Sequence, residues 1–217
     1  MTMPFDPVAL AGLQFFGLTT ASVTHELKNA LAIIKENAGL LDDYMQIMAK
    51  GQKVDGARVR TVISRIEDQT RRADGIIRNL NTFAHSVDEL EKSVDLNAIV
   101  DLLVALTHRP AAMQRVSLVR RPAPAPVPLR TAPFILLSGL GSVLHNVLPA
   151  AGPGQELTVG VAKSPAGGGT VTLAPLPGLS RLPACFGQAE ADPLRHLGAV
   201  YHVDPAMGQI TITLGGA

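Results

Sequence analysis

The sequence predicts an α then α+β chain, with an antiparallel helical hairpin forming a dimeric four-helix bundle followed by a layered α/β sandwich. Three observations carry this. With Gln69 the one exception, residues 10–48 and 59–87 hold apolar or small side chains at alternating steps of three and four, which is a heptad stripe. From Val94 onward the texture changes to helical segments alternating with short runs of period two, separated by Pro- and Gly-rich stretches, the signature of mixed helices, strands and turns. The composition, 47% hydrophobic and 17% charged, is rich enough for a buried core and unlike a disordered chain. The boundary expected from the change of texture gives a helical-hairpin dimerisation domain over residues 1–92 and a second domain over 93–217.

Asp6 followed by Pro7 supplies an N-cap and a first-turn proline for the first helix. Its stripe reads Leu13, Gly17, Thr20, Thr24, Leu27, Leu31, Ile34, Ala38, Leu41, Met45, Met48. Gly51 is placed to end it. After a short link, "GQKVDGA", a second stripe runs Val59, Val62, Ile66, Gln69, Ala73, Ile76, Leu80, Phe83, Val87. So short a link makes the helices antiparallel neighbours. Phe15, Phe16, Val23, Ile33, Ile63 and Ile77 widen the apolar face beyond what one partner helix can cover. Two copies packed as a four-helix bundle would cover it, so a homodimer is expected.

In the second half, "VDLNAIVDLLVALTHRPAAMQ" reads as a helix with Asp95 as its cap. "VSLVRR" reads as a strand, "PAPAPVP" as a stiff extended link, and "FILLSGLGSVLHNVLPAA" as another helix. "LTVGVAK" and "TVTLAPL" read as a hairpin through "SPAGGG". A short helix near 191–198 and two strands, "AVYHVD" and "ITITLG", complete the layers.

The formal net charge of +1 gives no support for a nucleic-acid partner. Cys185 stands alone, which excludes an internal disulfide, and the scattered His85, His108, His145, His196 and His202 lack ligand spacing, so no metal site is expected. Gly, Pro, His and charge interrupt the apolar runs, and the N-terminus lacks the basic start of a signal peptide. The expectation is a soluble cytoplasmic protein with no membrane partner.

The stretch "THELKNALAII" resembles the phospho-acceptor box of sensor histidine kinases, and "RRADGIIRNLNTFA" resembles the second helix of their dimerisation hairpin. "VDLNAIVDLLVAL" and "GSVLHNVLPAAGPGQELTVGV" are similar to the entry segment and asparagine-box helix of their Bergerat-type ATP-binding domain. The resemblance implies that His25 is the phospho-acceptor. It implies that Glu26 orients or deprotonates His25 and that Asn29, one turn on, is a phosphatase element. Lys28 would meet the partner. Independently of the family, a neutral imidazole titrating near about 6.5 is a good nucleophile at physiological pH.

The departures from the family are as informative. Ser142 stands where the first asparagine of the box is usual, leaving Asn146 as the second. Ala174 takes the place of the adenine-binding aspartate, and Gly178 is what remains of the first pair of glycines. No second glycine box or phosphate lid is present between "CFGQAEADPLRHLG" and the last strands. A site that has lost its hydrogen-bonding partners loses its ligand by large factors. The expectation is therefore a degenerate histidine-kinase ATPase-like domain with no stably bound cofactor, magnesium being supplied by the partner. The chain resembles a dimeric histidine phosphotransferase. It would pass phosphoryl groups between His25 and aspartates of response-regulator receiver domains, with a hybrid histidine kinase as a further partner. Two other readings stand beside it, a non-catalytic binding module that sequesters a regulator or kinase, and a divergent active kinase.

Overall fold

The computed structural model describes residues 6–181 and 192–215. Cys185 and the rest of 182–191, the beginning of the stretch where no lid was read, lie outside the described residues. The chain divides into two units, Ala21–Asn81, and Met1–Thr20 with Thr82–Ala217.

Helix α1 (Pro7–Ala49) begins where the sequence places its cap, with the Ala9 amide donating to Asp6 Oδ2 at 3.2 Å. It stops before Gly51, whose φ of 77° is the left-handed conformation that a residue without Cβ adopts most easily. Helix α2 (Gly56–Ala84) starts behind Asp55, which accepts from the Ala57 amide at 2.9 Å. The unit Ala21–Asn81 is thus the helical hairpin. On α2 the expected stripe is buried or half-buried from Val59 through Phe83, while Val87 is exposed.

On α1 the expected stripe splits. Thr20, Leu27, Ile34 and Leu41 are half-buried, whereas Gly17, Thr24, Leu31, Ala38 and Met45 are exposed. Val23, Ala30 and Asn37, one position earlier in each heptad, are the buried ones. The rotation arises because a single chain offers α1 one neighbouring helix, so the seam centres on residues facing α2. The other half of the stripe stays open.

The second unit is built on a five-stranded sheet of order β2-β4-β5-β7-β6. Its strands are β2 (Ser117–Arg121), β4 (Glu156–Lys163), β5 (Gly169–Ala174), β6 (Val200–Asp204) and β7 (Gln209–Leu214). β2 and β4 run parallel; β4–β5, β5–β7 and β6–β7 are antiparallel. Two strands outside the expectation, β1 (Lys92–Asp95) and β3 (Pro128–Thr131), pair antiparallel as a separate ribbon. They are four residues each and one opens on proline, too short to show an alternating pattern.

Helices α3 (Leu96–Met113), α4 (Pro133–Ala151) and the short α5 (Pro193–His196) accompany the sheet. Alternation decides which strand residues join the core: Leu157, Val159, Val171, Leu173, Ile210 and Ile212 are buried, while Thr158, Thr172 and Thr211 are half-exposed. Asp95 caps α3 by accepting from the Asn97 amide at 3.0 Å and also takes the Val127 amide at 2.9 Å. Asn97 Oδ1 accepts from Arg120 Nη2 at 2.9 Å and from the Ala123 amide at 3.0 Å, tying down the proline-rich link. Asp192 caps α5 and accepts the Tyr201 hydroxyl at 2.6 Å. Burial, then the Asp192 carboxylate, push the Tyr201 phenol well above its ordinary range.

Within this unit an aromatic cluster joins the first turns of α1, the end of α2 and α4. Phe83 is fully buried. Phe16 stacks on it at 5.4 Å, Phe15 meets it edge-on at 5.6 Å, and Phe134 lies 6.0 Å away. Close approach needs glycines: a Cβ at Gly12 would lie 2.9 Å from the Phe134 ring, and one at Gly141 would overlap the edge of Phe15. Phe83→Ala should remove about 3–5 kcal/mol of stability, read as a fall in Tm on the order of 10 °C for a chain of this size. A change under about 2 °C would show that the cluster contributes little.

Two helices are long and apolar enough to cross a membrane by length and composition, α1 and α4. This corrects the expectation that the apolar runs are too interrupted, because α1 carries no charged side chain between Pro7 and Thr24 and α4 carries none at all. The apolarity of α4 is accounted for by its burial, 67% of its apolar stretch being inside the fold. That of α1 is only 22% buried, leaving Leu13, Phe16 and Leu18 exposed.

Candidate phospho-acceptor site

The residues singled out by the sequence sit together on α1 within the hairpin unit. His25, Lys28 and Asn29 are exposed, and Glu26 is half-buried. A helix advances about 100° per residue. Asn29 therefore returns to within about 40° of His25, whereas Glu26 turns away towards α2. The contacts follow that geometry. The Asn29 side-chain amide lies 3.3 Å from His25 Nδ1. The Glu26 carboxylate is 3.6 Å from the Arg72 guanidinium of α2, with its side chain 13% exposed.

His25 Nε2 is the ring nitrogen farthest from the backbone, and the residue is exposed. Lys28 adds a cation on the same turn. Reading the sequence alone missed Arg72. It lies one position before Ala73 of the α2 stripe, and such a flank is where a long side chain spans to the neighbouring helix. That adjacency was the available signal. A second exposed imidazole has a carboxylate partner: His85 Nδ1 lies 2.7 Å from Asp88 Oδ2 in the 3-10 turn after α2.

On the sheet unit, the residues that the resemblance aligned with nucleotide contacts are engaged by the protein itself. Asn146 is exposed, and its amide donates to Ser142 O one turn back at 2.9 Å. Ala174 ends β5 and, with Pro175, lines an open cavity of about 520 Å³ on the outer face of the sheet, alongside Thr158, Gly160, Thr172 and Met207. In the turn that follows, the Leu176 amide donates to Gly208 O at 2.7 Å and the Gly178 amide to Ala150 O at 2.8 Å. Leu176 is buried, and a Cβ at Gly178 would lie 2.8 Å from Ala150 O. These amides are not free to receive phosphate oxygens, and the methyl of Ala174 offers an adenine amine no acceptor. Among the described residues no three His, Cys, Asp or Glu side chains converge as metal ligands.

Residues 17–88 match the family of the His Kinase A (phospho-acceptor) domain. The chain is 32% identical over 173 residues, 77% of its length, to the C4-dicarboxylate transport sensor protein DctB of Pseudomonas aeruginosa. That alignment is longer than the phospho-acceptor match and so reaches into the sheet unit. The chain spans 27% of that relative's length. Among solved structures it is similar to the histidine kinase AdeS of Acinetobacter baumannii, at 12% identity over 88% of this chain and 97% of that one, with a TM-score of 0.46. It is also similar to a histidine kinase from Burkholderia phymatum, at 14% identity over 93% and 98% of the two chains, with a TM-score of 0.43.

Proposed function

We propose that this chain, a histidine-kinase-like core whose residues 17–88 belong to the His Kinase A phospho-acceptor family, acts as a phosphorelay histidine phosphotransferase in two-component signalling. Domains of this family normally dimerise and pair with response regulators. In this reading His25 exchanges phosphoryl groups with an aspartate of a receiver domain. Magnesium comes from the receiver, the chain holds no cofactor stably, and the protein works in the cytoplasm as a homodimer. The observation that carries the reading is the acceptor imidazole, exposed on α1, in a chain whose turn after β5 commits its amides to Gly208 and Ala150.

The chemistry needs little from the protein beyond presentation. His25 Nε2 supplies the electron pair, and the aspartyl carboxylate leaves from phosphorus. Reversal returns the group to a second regulator. Lys28 can meet the acidic rim of a receiver, where a pair of exposed charges contributes on the order of 1 kcal/mol or less. Glu26, tied to Arg72, would orient the acceptor turn, and Asn29 would assist dephosphorylation of the regulator.

A second reading, a divergent active kinase, is favoured by one observation: the alignment to a sensor protein continues into the sheet unit. Parallel incubations separate the readings. With a labelled phospho-receiver and magnesium, the protein should acquire acid-labile label. With labelled ATP and magnesium it should acquire none. Label from ATP would establish the kinase reading. Failure of both, with stable receiver binding, would establish a non-catalytic module that sequesters its partner.

A further inference from the structure

Resting on the reading of His25 as acceptor, we propose that Arg72 of α2 is a positioning residue for phosphoryl transfer: by neutralising Glu26 it removes the negative charge beside the imidazole, so that His25 can hold a phosphoryl dianion.

Glu26 follows the acceptor directly on α1, and its side chain is 13% exposed. A carboxylate so withdrawn from water is poorly screened, and its field reaches the neighbouring side chain. A phosphoryl group on Nε2 adds roughly one and a half to two further negative charges. Left unpaired, Glu26 would oppose that group and drive it back to its donor. Arg72 alters the balance. Its guanidinium lies 3.6 Å from the Glu26 carboxylate, across the seam of the hairpin.

The neighbours of Arg72 do not share this task. Arg71 pairs with Asp68 at 2.6 Å and Arg78 with Asp74 at 2.7 Å, both along α2 itself. Arg72 crosses to α1 instead. At 3.6 Å the contact is an ion pair rather than a hydrogen bond, so the charge of the guanidinium matters more than its donor geometry. A purely structural link between the helices would be weakened by loss of either partner. A neutralising link depends on the sign of the charge that remains.

The transfer itself needs no further reactant. The Nε2 pair attacks phosphorus of an aspartyl phosphate, the N–P bond forms, the P–O bond to the carboxyl group breaks, and that electron pair leaves with the carboxylate. Arg72 acts through Glu26 on the free energy of the phosphorylated ring, and therefore on the position of the equilibrium.

The test uses the full chain with phosphoramidate, a small phosphoryl donor whose P–N bond breaks to release ammonia, at a fixed ammonia concentration. Phosphorus NMR at equilibrium reads the ratio of phosphorylated to free His25, with His25→Gln as background. Arg72→Gln leaves Glu26 unpaired and should lower the ratio about two- to fivefold, the range for half-exposed charges. Glu26→Gln leaves Arg72 unpaired and should raise it by a similar factor. The double variant, in which the pair again sums to zero, and Arg72→Lys, which keeps the cation, should return to the wild-type ratio. Both single effects should shrink in roughly 1 M salt, where the Debye length is about 3 Å. The proposal is overturned if Arg72→Gln leaves the ratio unchanged, or if both single variants move it in the same direction. Where Arg72→Gln weakens the hairpin, Glu26→Gln and Arg72→Lys still decide: a ratio that does not rise in the first, or falls in the second, overturns it. A wild-type His25 that takes no phosphoryl group from phosphoramidate or from a phosphorylated receiver would instead overturn the acceptor reading, so the two failures are distinguishable.

Discussion

Given a phosphorylated receiver, His25→Gln should take up no phosphoryl group above background, while its fold and its binding to the receiver persist. A carboxamide keeps the polarity and roughly the reach of the imidazole but offers no nitrogen pair to phosphorus. The position is exposed, so the change should alter stability by no more than about 0.5 kcal/mol. Loss of labelling with an unchanged Tm therefore assigns the effect to chemistry rather than unfolding. His85 is the control that gives the result its force. It is exposed, and its Nδ1 already faces the Asp88 carboxylate at 2.7 Å, so it is a second imidazole with an acceptor's geometry. His85→Gln should label normally. Label retained in His25→Gln and lost in His85→Gln would move the acceptor from α1 to the end of α2 and overturn the assignment of His25.

Leu31→Glu should convert the dimer to a monomer at concentrations where wild type is paired. Leu31 is 53% exposed in the single chain, and so are Met45 at 63%, Ile63 at 42% and Ile77 at 43%. On α1 these continue the positions Gly17, Thr24, Leu31, Ala38 and Met45, seven apart, that the single chain leaves uncovered. A second hairpin laid on that face would cover them as a four-helix bundle. Twofold symmetry makes one substitution count twice. Removing two buried leucines costs roughly 3–6 kcal/mol, at about 1.5–3 kcal/mol each. That raises the dimer Kd on the order of 100- to 10,000-fold before any charge penalty is added. Because Leu31 is open in the monomer, the monomer should keep its helix content. Sedimentation at several concentrations, with circular dichroism alongside, reads both. An intact Leu31→Glu dimer would show that the open face of α1 is not where two copies meet.

The candidate turn was marked in the sequence because His25, Glu26, Lys28 and Asn29 fall in one short run and helix periodicity assigns each its direction; the roles proposed for them are those the resemblance implies. The major elements were legible for the same kind of reason. Long stripes announce α1 and α2, Asp95 announces α3, and strict alternation announces β4, β5 and β7. These are local signals, held within a few turns of chain. What the tertiary structure decided depends on pairs far apart in sequence. Which half of the α1 stripe is buried follows from where α2 lies, and a heptad stripe looks the same from either flank. Arg72 meets Glu26 across 46 positions of sequence, and no spacing rule within one helix could join them. β1 and β3 exist as strands only through each other. Phe15, Phe16, Phe83 and Phe134 read as four separate apolar residues until packing gathers them around Gly12 and Gly141. Periodicity specifies which faces are apolar. Close packing, which depends on the shape of every neighbour, selects the partner that covers each face.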